Sequence, residues 1–264
     1  MYLCTIIIKI SIMGKLGTSK LDVEKVKELH LQGKNDKEIA TLLSASPSTV
    51  CYVRRFILKL KPVIETIELT KEQEEILIGT LLGDSYIGYT HSKCRFPNLT
   101  FCHCKKQALY ANTKFNKLKI IMSSIKERQY KSETIIQGKR CKIQPVIYAI
   151  GHNCKCLVKY RELFYNLEGK KIIPIDFLKD HFTAQSLAYL FMDDGCKNQK
   201  SYNLNLQCFT EKELIDFAYF LKTKFNLDFI IKKDKTMYLR YKSIQIFESL
   251  IKPYITEDMQ YKIH

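Results

Sequence analysis

The sequence predicts an α+β protein made of two related halves behind a small all-α module. Short apolar stripes at helical spacing across residues 21–60 define the module. Beyond it, helix-like and strand-like patterns run twice in the same order, and KFNKL at 114–118 falls where KFNLD falls at 224–228. Finally, two segments that are apolar almost all round, ILIGTLLGD and SLAYLFMDD, each finish in an acid. A helix without a polar face belongs in an interior, so these two are expected to pack together.

Residues 1–20 read as a flexible leader. Its apolar run, 2–13, is interrupted by Lys9 and falls short of the ~20 residues a membrane helix needs. It lacks the basic start and small-residue cleavage site of a signal peptide, and Met13 is a second candidate start. In the module, residues 21–61, Val23, Val26 and Leu29 mark a first helix and Gly33 stops it. Ile39, Leu42 and Leu43 mark a second; Ser46 caps a third, with Pro47 at its first position and Val50, Val53 and Ile57 as its stripe. The pattern resembles a helix-turn-helix DNA-binding module. Ser48, Thr49 and Tyr52 would then meet bases or phosphates, and Arg54 and Arg55 would grip the backbone.

A linker, 62–69, carries Pro62. The first half, 70–182, opens with a capping box at Thr70 and Gln73 and a helix over 71–84. Strands follow at 85–89 and 95–103, then a long helix at 105–123 that buries Leu109, Phe115, Leu118 and Met122. Strands at 131–137 and 146–152 and a helix at 156–167 complete it, and 172–180 crosses to the next half. The second half, 183–264, reads as a helix at 184–194, a strand at 203–209 and a helix at 211–225. Strands at 228–232 and 237–241 lead to a last helix at 243–251.

Lysine and arginine number 43 against 27 acids, a net charge of +16. Residues 1–69 hold 11 basic and 7 acidic side chains, and 70–264 hold 32 and 20, so the excess belongs to folded segments. That favours a polyanionic partner. Cys102 and Cys104, like Cys154 and Cys156, are one residue apart, closer than the usual zinc spacing. The ten cysteines therefore read as reduced thiols of an intracellular compartment, a mitochondrion or another organelle being an option.

The acidic helix ends are poor for stability. An anion at a helix C-terminus costs about 0.3–1 kcal/mol against the helix dipole, and two neighbouring anions raise a pKa. Gly79, Gly83 and Ala188 would let the two helices approach closely, bringing Asp84 beside Asp194. A divalent cation removes both objections; Mg²⁺ suits hard oxygen ligands with open positions, and Mn²⁺ should substitute. The backbone carbonyls of Gly83 and Asp193 are further candidate ligands.

LAYLFMDDG at 187–195 and IGTLLGDSY at 78–86 resemble the paired motifs of the LAGLIDADG homing endonucleases, the single-chain fungal-mitochondrial intron type. FLKDHFTAQS upstream and LIKPYITEDMQYKI at 250–263 extend the likeness over about 70–264, leaving the helix-turn-helix outside it. Ser85 departs from the generic glycine. The resemblance implies αββαββα halves, central motif helices and saddle-shaped sheets lying in DNA major grooves. It implies Asp84 and Asp194 as the catalytic acids, with Asp193 at a variable position. It places a basic residue near each, resembling Lys171 and Lys262, and puts Gln207 on a strand beside the site.

The implied reaction is double-strand DNA hydrolysis by a monomer at a long, asymmetric target, each aspartate serving one strand. Base contacts would come from the group Tyr86, Tyr89, Arg95, Asn98, Thr100, Lys200, Asn203, Asn205, Lys232, Lys233, Lys235 and Arg240. The alternatives are an RNA maturase that binds intron RNA and a transcriptional regulator on the same scaffold.

Overall fold

The computed structural model describes residues 21–60, 67–92, 94–129, 133–136, 139–142 and 144–264. The expected leader, most of the linker and the ends of the strand expected at 131–137 lie outside the described residues. The chain divides into two units, Met1–Thr66 and Ile67–His264.

Capping chemistry sets the boundaries in the first unit. Asp22 accepts from the Glu24 and Lys25 amides to open α1 (Val23–Leu31), and Gly33, at φ 84°, turns the chain out of it. Asn35 and Glu38 form a capping box on α2 (Asp36–Leu42). Ser46 caps α3 (Pro47–Tyr52), with Pro47 inside the first turn; a π-type turn, Val53–Ile57, continues it. Val26, Leu29, Ile39, Ala40, Val50 and Val53 form the unit's core.

The second unit contains the two halves. Thr70 and Gln73 box the start of α4 (Lys71–Leu82), which leads to β1 (Tyr86–Gly88) and β2 (Asn98–Cys104). Then come α5 (Ala108–Lys117) and β3 (Met122–Arg128). A hairpin of β4 (Glu133–Ile136) and β5 (Lys139–Lys142) precedes β6 (Val146–Gly151) and α6 (Leu157–Phe164). A connecting helix, α7 (Ile175–His181), reaches α8 (Ala184–Asp194).

The second half continues with β7 (Gly195–Asn198), β8 (Ser201–Leu204), α9 (Glu211–Phe225), β9 (Phe229–Ile231), β10 (Met237–Leu239) and α10 (Ile244–Ile251). The sheets run β1-β2-β6-β3 and β7-β8-β10-β9, all antiparallel. The two orders are the same once β4 and β5 are set aside as an insertion. One apolar core spans both halves, with α4 and α8 packed against each other inside it. No helix among the described residues is long and apolar enough to cross a membrane.

Three departures from the sequence reading have physical causes. The expected helix at 105–123 stops at Lys117, and Met122 begins an edge strand, β3, that falls mostly in the gap between that helix and the strand expected at 131–137. A short 3-10 turn, Lys105–Gln107, also shifts the helical frame. Leu109 is therefore 48% exposed, while Tyr110, Ala111 and Lys114 turn inward. The expected strand at 203–209 ends at Leu204, the end of β8 in a β7–β8 hairpin; the Asn205 amide adds one more rung by donating to the Asp194 carbonyl, and the chain then turns. The crossing at 172–180 holds α7, a seven-residue helix with no side-chain cap to announce it.

Candidate active site

Small groups set the seam between α4 and α8. A Cβ on Gly79 would lie 2.2 Å from the Ser186 carbonyl oxygen, so glycine alone admits the α8 backbone there. Ser186 Oγ donates to the Glu75 carbonyl at 2.8 Å and pins the crossing. The close contact thus falls on Ser186 rather than on Ala188. Further along, a Cβ on Gly83 would lie 2.5 Å from the Asp193 Cβ. Because the helices touch there, Asp84 and Asp194 emerge at the same end of the seam.

The Asp84 side chain is 40% exposed. Asp194 is half-buried and lines an open cleft of about 430 Å³ with Lys197, Asn205, Tyr261 and Lys262. Burial and the charges of Asp84 and Asp193 push the Asp194 carboxyl up to about 7. Burial and Asp193 raise Asp84 as well. Acids whose pKa values are both raised mark a place short of positive charge. Two hard oxygen donors of this kind fit a divalent cation that keeps open positions.

A lysine sits on the equivalent carbonyl at each helix end. Lys171 Nζ donates to the Gly83 carbonyl. Lys262 Nζ donates to the Met192 carbonyl at 2.6 Å and the Asp193 carbonyl at 3.3 Å. Gly83 and Asp193 each precede one of the two acids, so acids and lysines obey one pseudo-symmetry. A β-bridge between Tyr165 and Lys171 places the first lysine, and the 3-10 segment Glu257–Lys262 places the second. The Gly83 and Asp193 carbonyls, expected as metal ligands, are thus engaged by ammonium groups that satisfy the open C-terminal ends of the helices. Burial lowers the pKa of both lysines, with the neighbouring acids pulling the other way.

Beneath Asp84 lies a buried network that sequence reasoning missed. Asp193 Oδ1 accepts from Tyr110 Oη at 2.6 Å and Lys114 Nζ at 2.9 Å. Its Oδ2 accepts from Thr80 Oγ1 at 2.6 Å and the Asp84 amide at 3.1 Å. Lys114, fully buried, also donates to Thr80 Oγ1 and stands over the Phe101 and Tyr110 rings. His103 lies 3.6 Å from both Asp84 Oδ2 and Asp193 Oδ1.

Burial opposes the Asp193 charge, but the Lys114 cation, with hydrogen bonds from Thr80 and Tyr110, outweighs it and brings its pKa to about 2. Burial, reinforced by Lys114, drops His103 to about 3 and keeps it neutral. Asp84, His103 and Asp193 have ligand atoms within 4.8 Å of one another. Lys114 already neutralises Asp193, which leaves Asp84 as the carboxylate of that group open to a cation. Exposed Cys102 and Cys104 were the available signal for His103: the strand alternation turns the residue between them inward. Lys114 gave no such signal, because a lysine on a helix reads as surface.

The LAGLIDADG DNA endonuclease family is matched over residues 74–248, which contain both acids. The chain belongs to this family. It is 32% identical over 206 residues to "Probable intron-encoded endonuclease 1" of Wickerhamomyces canadensis, covering 74% of this chain and 85% of the relative. A cytochrome b mRNA maturase, bI2 of Saccharomyces cerevisiae, is 34% identical over 107 residues, covering 37% of this chain and 25% of that one. The solved structure of the homing endonuclease I-WcaI bound to its DNA recognition sequence matches with a TM-score of 0.63 and 30% identity. That match covers 75% of this chain and 88% of the other.

On this LAGLIDADG scaffold the expected DNA-contact residues sort by exposure. Tyr86, Tyr89, Arg95, Lys200, Asn205, Lys232, Lys233, Lys235 and Arg240 are exposed, while Thr100 and Asn203 are half-buried. Asn98 is not available: it is buried, and its amide donates to Thr90 Oγ1. Arg240 pairs with Asp228 at 3.7 Å, and Lys232 stands over the Tyr238 ring. Gln207 lies in the turn after β8 rather than on a strand, and its amide donates to Thr236 Oγ1.

Lys126 and Arg128 lie on β3, most of which falls between the helix expected at 105–123 and the strand expected at 131–137; the register puts Tyr148 of β6 opposite both Cys102 and Lys126. In the first unit Ser48, Tyr52 and Arg55 are exposed, and Thr49 bonds Ser46. Arg54 cannot grip DNA. It is 5% exposed, its guanidinium forks onto both oxygens of Asp36, and it also donates to the Leu60 carbonyl. The helical register that buries Val50 and Val53 turns Arg54 inward with them.

Proposed function

We propose that this protein is a site-specific homing endonuclease that breaks both strands of a long, asymmetric DNA target, with Mg²⁺ as its cation and Mn²⁺ as a substitute. One observation carries the reading: two carboxylates converge at the ends of paired helices, each with a lysine on the preceding carbonyl. Asp84 and Asp194 would hold the cation, which supplies charge stabilisation and a more acidic bound water. Lys171 and Lys262 offset negative charge on the phosphate being cut. The exposed polar residues of the two sheets differ between halves, which fits a target without symmetry.

Phosphate contacts by the basic surface dominate affinity and weaken with salt. The N-terminal module, presenting Ser48, Tyr52 and Arg55, adds a tethered second contact. The free thiols among the described residues fit a reducing compartment, and a relative named as intron-encoded supports an organellar setting. The test is incubation of the purified protein with a library of intronless flanking sequences. Cutting in Mg²⁺ and none in EDTA is expected. The similarity to a maturase supports a second role in intron splicing; binding of intron RNA without cutting of any duplex would favour that role over the nuclease.

A further inference from the structure

We propose that Asp193 is a positioning residue for Asp84, and that this makes the two cleavage centres unequal. The inference rests on the nuclease reading above. Asp193 belongs to the second motif helix but serves the first: its Oδ2 accepts the Asp84 amide hydrogen at 3.1 Å. Four donors, Thr80, Tyr110, Lys114 and that amide, occupy both its oxygens, so the carboxylate cannot rotate away. Asp84 follows a glycine, and its side chain is 40% exposed, so packing does little to fix it. The amide contact ties its backbone to a rigid anchor. No counterpart serves Asp194, because the equivalent position in the first motif is Gly83, which has no side chain.

A merely structural role predicts something else. Replacing a buried ion pair by apolar groups of similar volume is often neutral or stabilising. Two double variants in one background separate the roles. Lys114→Met with Asp193→Leu removes both charges and the acceptor for the Asp84 amide. Lys114→Met with Asp193→Asn removes both charges and keeps an acceptor.

The probe is a duplex selected by parent-enzyme cleavage from a randomised library, end-labelled on each strand in turn. The leucine variant should change the ratio of the two strand-cutting rates by about tenfold or more, since small misplacements of reacting groups carry penalties of that size. The asparagine variant should restore the ratio to within about threefold of the parent. Hydrogen exchange at the Asp84 amide should accelerate about tenfold in the leucine variant alone. An unchanged ratio, equal slowing of both strands, identical behaviour of the two variants, or loss of cooperative unfolding in both overturns the proposal. If the parent cuts no duplex, the nuclease reading fails instead, and amide exchange still decides this one.

Discussion

The Asp84 end and the Asp194 end of the helix seam share a plan and differ in what supports it. Both have an acid at the end of an apolar helix and a lysine on the carbonyl before that acid. Under Asp84 lies a dense polar floor of Asp193, Lys114, Tyr110, Thr80 and His103. Asp194 instead opens onto a cleft, and its own carbonyl accepts from the Asn205 amide. Both acids, Asp84 and Asp194, are raised by burial and by their acidic neighbours, Asp194 up to about 7, while the anchored Asp193 between them is brought to about 2. The pseudo-symmetry thus preserves the reacting groups and lets their foundations diverge.

The largest effect should come from neutralising the acids. Asp84→Asn and Asp194→Asn should each lower double-strand cutting by about a thousandfold or more, while a gel-shift assay shows DNA still bound. Parent-like cutting by both would break the comparison by removing the site itself. Next, Lys171→Met and Lys262→Met should each slow cutting about a hundredfold, the typical scale for one electrostatic stabiliser, with opposite strand preferences in a nicking assay.

The third prediction concerns pH. Asp194 has a pKa raised above its unfolded value, so its stabilising contribution is full below pH 4 and is lost as pH rises through about 7. In metal-free buffer, Asp194→Asn should raise stability by on the order of 2–4 kcal/mol at pH 8 and by little at pH 4, read by thermal unfolding. Added Mg²⁺ should stabilise the parent mainly above pH 7. A flat difference across pH would show that Asp194 is not the acid under strain. The smallest effect should be Gly79→Ala, whose new methyl would meet the Ser186 carbonyl. A loss of about 1–3 kcal/mol, shared by both ends of the seam, is expected from urea denaturation.

Much of this was legible in the sequence where one residue's type had one physical use. Thr70 with Gln73 opened α4, because a capping box has a plain signature. Gly79 and Gly83 marked the close approach of the motif helices, and the two acids declared themselves by being in the wrong place for a helix end. What stayed hidden depended on residues far apart in the chain. Lys114 is buried only because Asp193 arrives from the other half, 79 residues later, to neutralise it. Most of β3 fell between an expected helix and an expected strand, because Lys126, Glu127 and Arg128 on this edge show no apolar alternation to read. Arg54 looked like a phosphate contact until the register of its helix turned it onto Asp36.

The pairing of Lys114 with Asp193 also bears on ancestry and engineering. Two copies of the first half, joined as a homodimer, would set Lys114 opposite a Gly83, with a cation sealed in the interior and no carboxylate at that position to bond it. The first half is therefore not a portable module. A chimera that grafts a foreign second half onto this first half must bring its own acid one place before the reacting aspartate, or replace the lysine along with it.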